Sequence, residues 1–421
     1  MKKYIAFAMA LVMCLALFSG CGQETTSTES GAPQSGTPAD GASFKFGVIG
    51  PLTGENAIYG NAVANGVQIA VEEINAAGGI NGYQVEVSTQ DDVSDGETAV
   101  NAYNNLMDNG MQILVGPVTT GPAISVSAMV YEDRVFALTP SASSLDVVAG
   151  KDNMFQLCFT DPNQGKGAAT YMAANMPDAK IAIIYRNDDP YSQGIRDTFV
   201  EEAKNQNLNI VSETTFTGDT ATDFSVQLTA AQSAGADVVF LPIYFQPASV
   251  ILSQANAMGY EPTFFGVDGM DGILTLENFD MSLAEGVMVL TPFSADATDE
   301  RTVNFVTEYN ERFGETPNQF AADGYDCIYA LKQALENAGC TPDMSTEDIC
   351  TAMIEQFTTM SFDGLTGSGL TWGTDGTVSK LPMAVVIHDG AYVSVDSSDD
   401  TEAEPAESAE AAPAESAEAA A

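Results

Sequence analysis

From Lys45 onward, short wholly apolar runs alternate with longer segments in which apolar residues recur every three or four positions. The short runs read as parallel strands buried on both faces, and the longer segments as amphipathic helices. The pattern predicts a strand in FGVIGPLTG, a helix over 58–77, a turn at Gly78-Gly79-Ile80-Asn81-Gly82 and a strand in QVEVSTQDD. It continues with a helix over 97–109, a strand over 113–115, a helix over 123–130 and a strand over 135–138. After 154–159 a second series begins: helix 164–176, strand 180–185, helix 191–205, strand 209–214, helix 223–234, strand 237–241, helix 247–258 and strand 263–267. Sustained alternation of this kind marks an α/β protein of doubly wound parallel sheets, and two such series predict two lobes.

One stretch departs from plain alternation. MQILVGP gives way to Thr119-Thr120-Gly121, and about twenty residues on, the apolar run ending at Leu138 gives way to Thr139-Pro140-Ser141-Ala142-Ser143-Ser144. Each reads as a parallel strand ending in a hydroxyl-bearing loop that starts a helix. Adjacent loops of this type place free backbone N–H groups and hydroxyls on one rim, which suits an anion. Neither loop contains Lys or Arg. The predicted ligand is therefore a small carboxylate held by neutral donors and helix dipoles rather than a polyphosphate held by charge. Two ordinary helix caps would give the same sequence pattern.

The ends of the 421-residue chain are of a different character. Residues 1–20 carry Lys2 and Lys3, an apolar run to Phe18, then Ser19 and Gly20, the order of a secretory signal with a core too short to span a bilayer. Phe18-Ser19-Gly20-Cys21 resembles a lipoprotein box, with Phe18 where leucine is usual, and this implies cleavage before Cys21 and lipidation there. Residues 21–43 are poor in large apolar groups and predict a disordered tether, and residues 397–421, rich in Glu, Pro, Ala and Ser, an acidic disordered tail. With 14 Lys+Arg against 58 Asp+Glu the net charge is −44, which excludes nucleic acid as a partner. Cys158, Cys327, Cys340 and Cys350 remain in the body without Cys-x-x-Cys spacing, so no zinc or dithiol motif is predicted. A Cys340–Cys350 bridge and free thiols are both open, with free thiols preferred.

Across the body, FGVIGPLTGENAIYG, NAAGGINGYQVEVSTQDD, LVGPVTTGPA, LTPSASS, DDPYSQG, FGVDG and PNQFAADGYDCIYAL occur in that order. Together they resemble the branched-chain (Leu/Ile/Val) amino-acid-binding proteins of ABC transporters, in the type I periplasmic-binding-protein class. The resemblance implies two lobes joined by three hinge crossings, with residues 44–160 plus 292–382 in the first lobe and 161–291 plus 383–396 in the second. It implies that Thr119 and Thr120 hold a ligand's α-carboxylate and that Ser141, Ala142 and Ser143 grip its α-carboxylate and α-ammonium. Asp268, where Glu is frequent, matches the acid that pairs with the ammonium. Tyr191 and Tyr244 match second-lobe groups that close over the ligand, and Tyr59 and Phe320 the wall around its side chain. Ser192 stands where glycine is common.

Catalytic patterns are absent from the sequence. His388 is the only histidine and lies far from the hydroxyl loops, no Gly-x-Ser-x-Gly occurs, and Gln164-Gly165-Lys166-Gly167 lacks the features of a P-loop. Asp91-Asp92-Val93-Ser94-Asp95-Gly96 fails as a calcium loop because Val93 takes a ligand position. The expectation is a monomeric, extracytoplasmic, lipid-anchored binding protein without cofactor or metal, which is not an enzyme and delivers an amino acid to an ABC permease. The alternatives are a ligand sensor for a signalling partner, or a binder of an amide, urea or aromatic acid.

Overall fold

The computed structural model describes residues 41–395. The expected signal, Cys21, the tether up to residue 40 and the acidic tail lie outside them, while Ser43, expected as the tether's last residue, instead opens the first strand. The first series forms β1 (Ser43–Gly50), α1 (Ala57–Ala76), β2 (Gln84–Asp91), α2 (Gly96–Asp108), β3 (Ile113–Val115), α3 (Thr120–Glu132), β4 (Phe136–Thr139) and β5 (Met154–Gln156). The strands pair in parallel in the order β2-β1-β3-β4-β5. β3 and β4 are buried at every position, which explains why they read as continuous apolar runs rather than alternating ones.

The second series forms α4 (Asp161–Asn175), β6 (Lys180–Arg186), α5 (Pro190–Asn205), β7 (Asn209–Phe216), α6 (Ser225–Ser233), β8 (Val238–Leu241), α7 (Phe245–Ala257), β9 (Thr263–Gly266) and β10 (Met288–Thr291). Three further helices follow, α8 (Glu300–Phe313), α9 (Gln319–Ala338) and α10 (Thr346–Phe357), and then β11 (Met383–His388) and β12 (Ala391–Ser394). The second sheet runs β12-β11-β10-β9-β8-β6-β7. Its last two strands are antiparallel, so it is mixed where the alternation alone predicts a parallel sheet.

Between β10 and β11 the chain returns to the first sheet: α9 packs along α1 and α10 against β4. Close approach of α1 and α9 depends on small residues. A Cβ on Gly66 would lie 1.9 Å from the Ala321 carbonyl oxygen, and one on Gly324 would lie 2.5 Å from that of Val63. This contact brings Tyr59, near the start of α1, against Phe320, near the start of α9, with ring centroids 4.3 Å apart. Both rings thereby reach the space between the sheets.

One predicted helix does not form. After Ser144 there is only a single 3-10 turn, Leu145–Val147. The Gln156 side-chain amide on the neighbouring strand β5 donates to the carbonyls of Ala142 (2.7 Å) and Ser144 (3.0 Å), so the loop is pinned to the sheet and has no long helix dipole behind it. Cys158, Cys327, Cys340 and Cys350 are buried free thiols. Among the described residues no helix is long and apolar enough to cross a membrane.

Candidate functional site

The first hydroxyl loop sits where β3 meets α3. Thr119 occupies the cap position of α3, but its side chain does not cap: the hydroxyl donates to Ser94 Oγ at 3.3 Å. Thr120 is 1% exposed, and its Oγ1 has no hydrogen-bond partner. The alternative of ordinary side-chain capping therefore fails here, leaving a buried hydroxyl of the kind that native proteins seldom orphan. In the second loop Ser141 Oγ donates to the Val118 carbonyl at 2.6 Å, joining the two loops. Ala142 and Ser143 lie behind this rim. The Ala142 N–H donates to Thr139 Oγ1 at 3.0 Å, and the Ser143 carbonyl accepts from the Asp161 N–H at 2.9 Å.

The facing wall comes from the second sheet. Asp189 caps α5 and so fixes Tyr191 in its first turn. Tyr244 precedes α7, and its ring stacks on that of Tyr191 with centroids 4.7 Å apart and planes 4° from parallel. Asp268 follows β9. Its carboxylate accepts from the Tyr191 hydroxyl at 2.5 Å, its N–H donates to Gln164 Oε1, and its carbonyl accepts from Gln319 Nε2 at 2.8 Å. Gly269 beside it must lack a side chain, since a Cβ there would fall 2.5 Å from the Tyr191 hydroxyl and 2.9 Å from the Tyr244 ring. The Gly269 N–H donates to the Tyr191 oxygen, and its carbonyl accepts from the Tyr59 hydroxyl.

These two walls meet around one small cavity, lined by Tyr59, Val118, Thr119, Thr120, Ser141, Tyr191, Tyr244, Asp268, Gly269 and Phe320. Eight of the ten predicted site residues line it, and Ala142 and Ser143 do not. Val118 and Gly269 were not predicted; an interior apolar residue and a glycine carry no chemical signal in sequence. The cavity has room for about 10 Å³, close to what one water needs. The space between the two walls is thus nearly filled by its own side chains.

Its electrostatics are one-sided. Burial pushes the Asp268 carboxyl up to about 7, against the hydrogen bond from Tyr191. Burial likewise raises Asp189 to about 6 and drives Asp161 well above the carboxylate range. No Lys, Arg or His lines the cavity. A buried carboxylate without a cation, opposite the unpaired neutral hydroxyl of Thr120, is the complement of a molecule carrying an ammonium at one end and a carboxylate at the other.

Comparison with known proteins identifies the family. A periplasmic binding protein family model matches residues 43–391. The chain is 31% identical over 304 residues to Leu/Ile/Val-binding protein homolog 3 of Brucella melitensis, covering 72% of this chain and 81% of that one. It is 31% identical over 319 residues to the Leu/Ile/Val-binding protein BraC3 of Rhizobium johnstonii, covering 75% and 84%. Among solved structures, the leucine-binding protein LivK of Thermotoga maritima superposes with a TM-score of 0.75 at 26% identity, over 83% of this chain and 97% of that one. The branched-chain amino-acid transporter substrate-binding protein LivJ of Streptococcus pneumoniae, solved with isoleucine, gives 0.75 at 29% identity with the same coverage. The fold is that of these type I binding proteins, and the chain belongs to the periplasmic binding protein family.

Proposed function

We propose that this chain is an extracytoplasmic solute-binding protein that captures a branched-chain or other small apolar amino acid and delivers it to an ABC permease, without catalysing a reaction. The observation that carries the reading is Asp268: a fully desolvated carboxylate with a phenolic partner and no cation, across the cavity from the unpaired Thr120 hydroxyl. In the proposed complex the ligand ammonium meets Asp268 and displaces or shares the Tyr191 hydroxyl. Its carboxylate faces Thr119, Thr120 and Ser141, with Ala142 and Ser143 supplying the loop that shapes the rim. Its apolar side chain takes the space among Tyr59, Tyr244 and Phe320. The lobes are residues 44–160 with 292–382 and 161–291 with 383–396, and they move apart to admit the ligand. Anchoring through a lipid on Cys21 would keep the protein, as a monomer, at the membrane beside its permease.

Calorimetric titration with leucine, isoleucine and valine tests this directly. At least one should bind saturably, and Asp268→Asn should weaken it by roughly thirtyfold or more, since breaking one side of a desolvated charge pair costs on the order of 2–5 kcal/mol. Equal affinity in the two proteins removes Asp268 from the site. Selective binding of an uncharged amide removes the amino-acid reading itself.

A further inference from the structure

Behind the cleft lies a second, larger cavity of about 440 Å³ that shares no lining residue with the first. Its walls include Leu274, Phe293, Val306, Pro317 and Tyr392, and its carboxylates are the buried Asp271 and the exposed Asp296. The lining is drawn from the segment after β9, the segment after β10, α8, the approach to α9, and β12 with the turn before it. Its size is that of a small-molecule site rather than a packing flaw.

Asp271 is 3% exposed. One carboxylate oxygen, Oδ2, accepts the Gln319 N–H at 2.9 Å, while Oδ1 has no partner. The buried Tyr392 hydroxyl stands beside this carboxyl and favours its ionised form. Burial nevertheless pushes the Asp271 carboxyl up to about 6, and Asp323 adds to the rise. No Lys, Arg or His lines the cavity. A roomy, largely apolar chamber with a buried carboxylate and no Lys, Arg or His to pair it lacks a counter-charge.

We propose that this cavity is a second ligand site, for a compact organic ammonium ion whose charged head meets Asp271 Oδ1 and whose apolar body fills the space between Phe293, Leu274 and Tyr392. The two aromatic faces add attraction for a cation that a neutral molecule of the same shape does not feel. Such a ligand needs no carboxylate, which separates its class from that of the cleft.

Cyclohexylammonium is a suitable probe and cyclohexanol its uncharged match, titrated at pH 8 into the whole protein and into Asp268→Asn, in which the cleft carboxylate is absent. The amine should bind both proteins saturably with one site in this cavity, and cyclohexanol at least tenfold more weakly. Asp271→Asn keeps an acceptor for the Gln319 N–H and should lower amine affinity at least tenfold. Leu274→Trp, which fills the chamber and leaves Asp271 alone, should abolish binding and so guards against a folding defect in the first variant. Binding that vanishes in Asp268→Asn, that ignores Leu274→Trp, or that never saturates would overturn the proposal. None of these readouts depends on whether leucine binds in the cleft.

Discussion

Two of the buried aspartates in this molecule answer desolvation in opposite ways. Asp323, on α9, has a resident cation: Lys380 Nζ donates to its Oδ1 at 2.9 Å and to Thr366 Oγ1 at 2.5 Å, and both charged side chains are 2% exposed. Its neighbour Asp326 accepts from the N–H groups of Leu365 and Thr366 and from the Thr366 hydroxyl. Asp268 has a phenol in place of the cation. Burial raises both carboxyls, Asp323 to about 6 and Asp268 to about 7, but only Asp323 has an ammonium pulling the other way. The difference separates a carboxylate paired inside the fold from one that, in the proposed complex, is paired by a charge arriving from outside.

The sharpest way to break this comparison is to take away the resident cation. Lys380→Met leaves Asp323 desolvated and unpaired and should cost about 3–5 kcal/mol of stability, read as a fall of several degrees in Tm at neutral pH. Adding Asp323→Asn should recover most of the loss, because both charges are then gone. If Lys380→Met melts like the parent, Asp323 is not sustained by Lys380 and the two aspartates are alike.

Asp268→Asn should act on stability with the opposite sign. The folded pKa of Asp268, about 7, lies above its ordinary 3.8, so between those values the folded protein holds a proton that the unfolded chain has released. Stability from this group is therefore complete below about pH 4 and is lost as pH rises toward 7 and beyond, by at most about 4 kcal/mol. Asparagine carries no such penalty. The variant should match the parent near pH 4 and melt higher at pH 8, while binding its amino acid more weakly. A variant less stable than the parent at pH 8 would show that Asp268 supports the fold after all.

The unequal legibility of the two sites in sequence has a physical origin. Thr119, Thr120 and Ser141 stand at the ends of apolar strands, where local alternation already marks a rim, while Asp268 was reached through the family resemblance, and all four line the cavity. Lys380 and Asp323 are 57 residues apart and meet only because α8 to α10 return to the first sheet, and no local period encodes that return. The helix expected after Ser144 failed for a similar reason: Gln156, on another strand, claims the carbonyls of Ala142 and Ser144. The antiparallel β11 and β12 were equally hidden, since a strand's direction is set by its partners.

The smallest expected effect concerns the phenol itself. Tyr191→Phe keeps the ring stacked on Tyr244 and removes only the hydroxyl that donates to Asp268 and accepts from Gly269. That hydroxyl favours the ionised carboxylate, so its loss should move the Asp268 pKa upward from about 7. A hydrogen bond to a charged group is worth about 1.5 kcal/mol at the low end, or roughly one pH unit. An ammonium ligand binds the ionised form, so affinity should drop by roughly tenfold below pH 7 and change little above pH 8.5, where Asp268 is ionised in both proteins. Calorimetry across this range separates the effect from simple loss of a ligand contact, which would weaken binding equally at every pH. A uniform loss would make Tyr191 a contact for the ligand alone, and Asp268 would then lose the neutral partner that distinguishes it from Asp323.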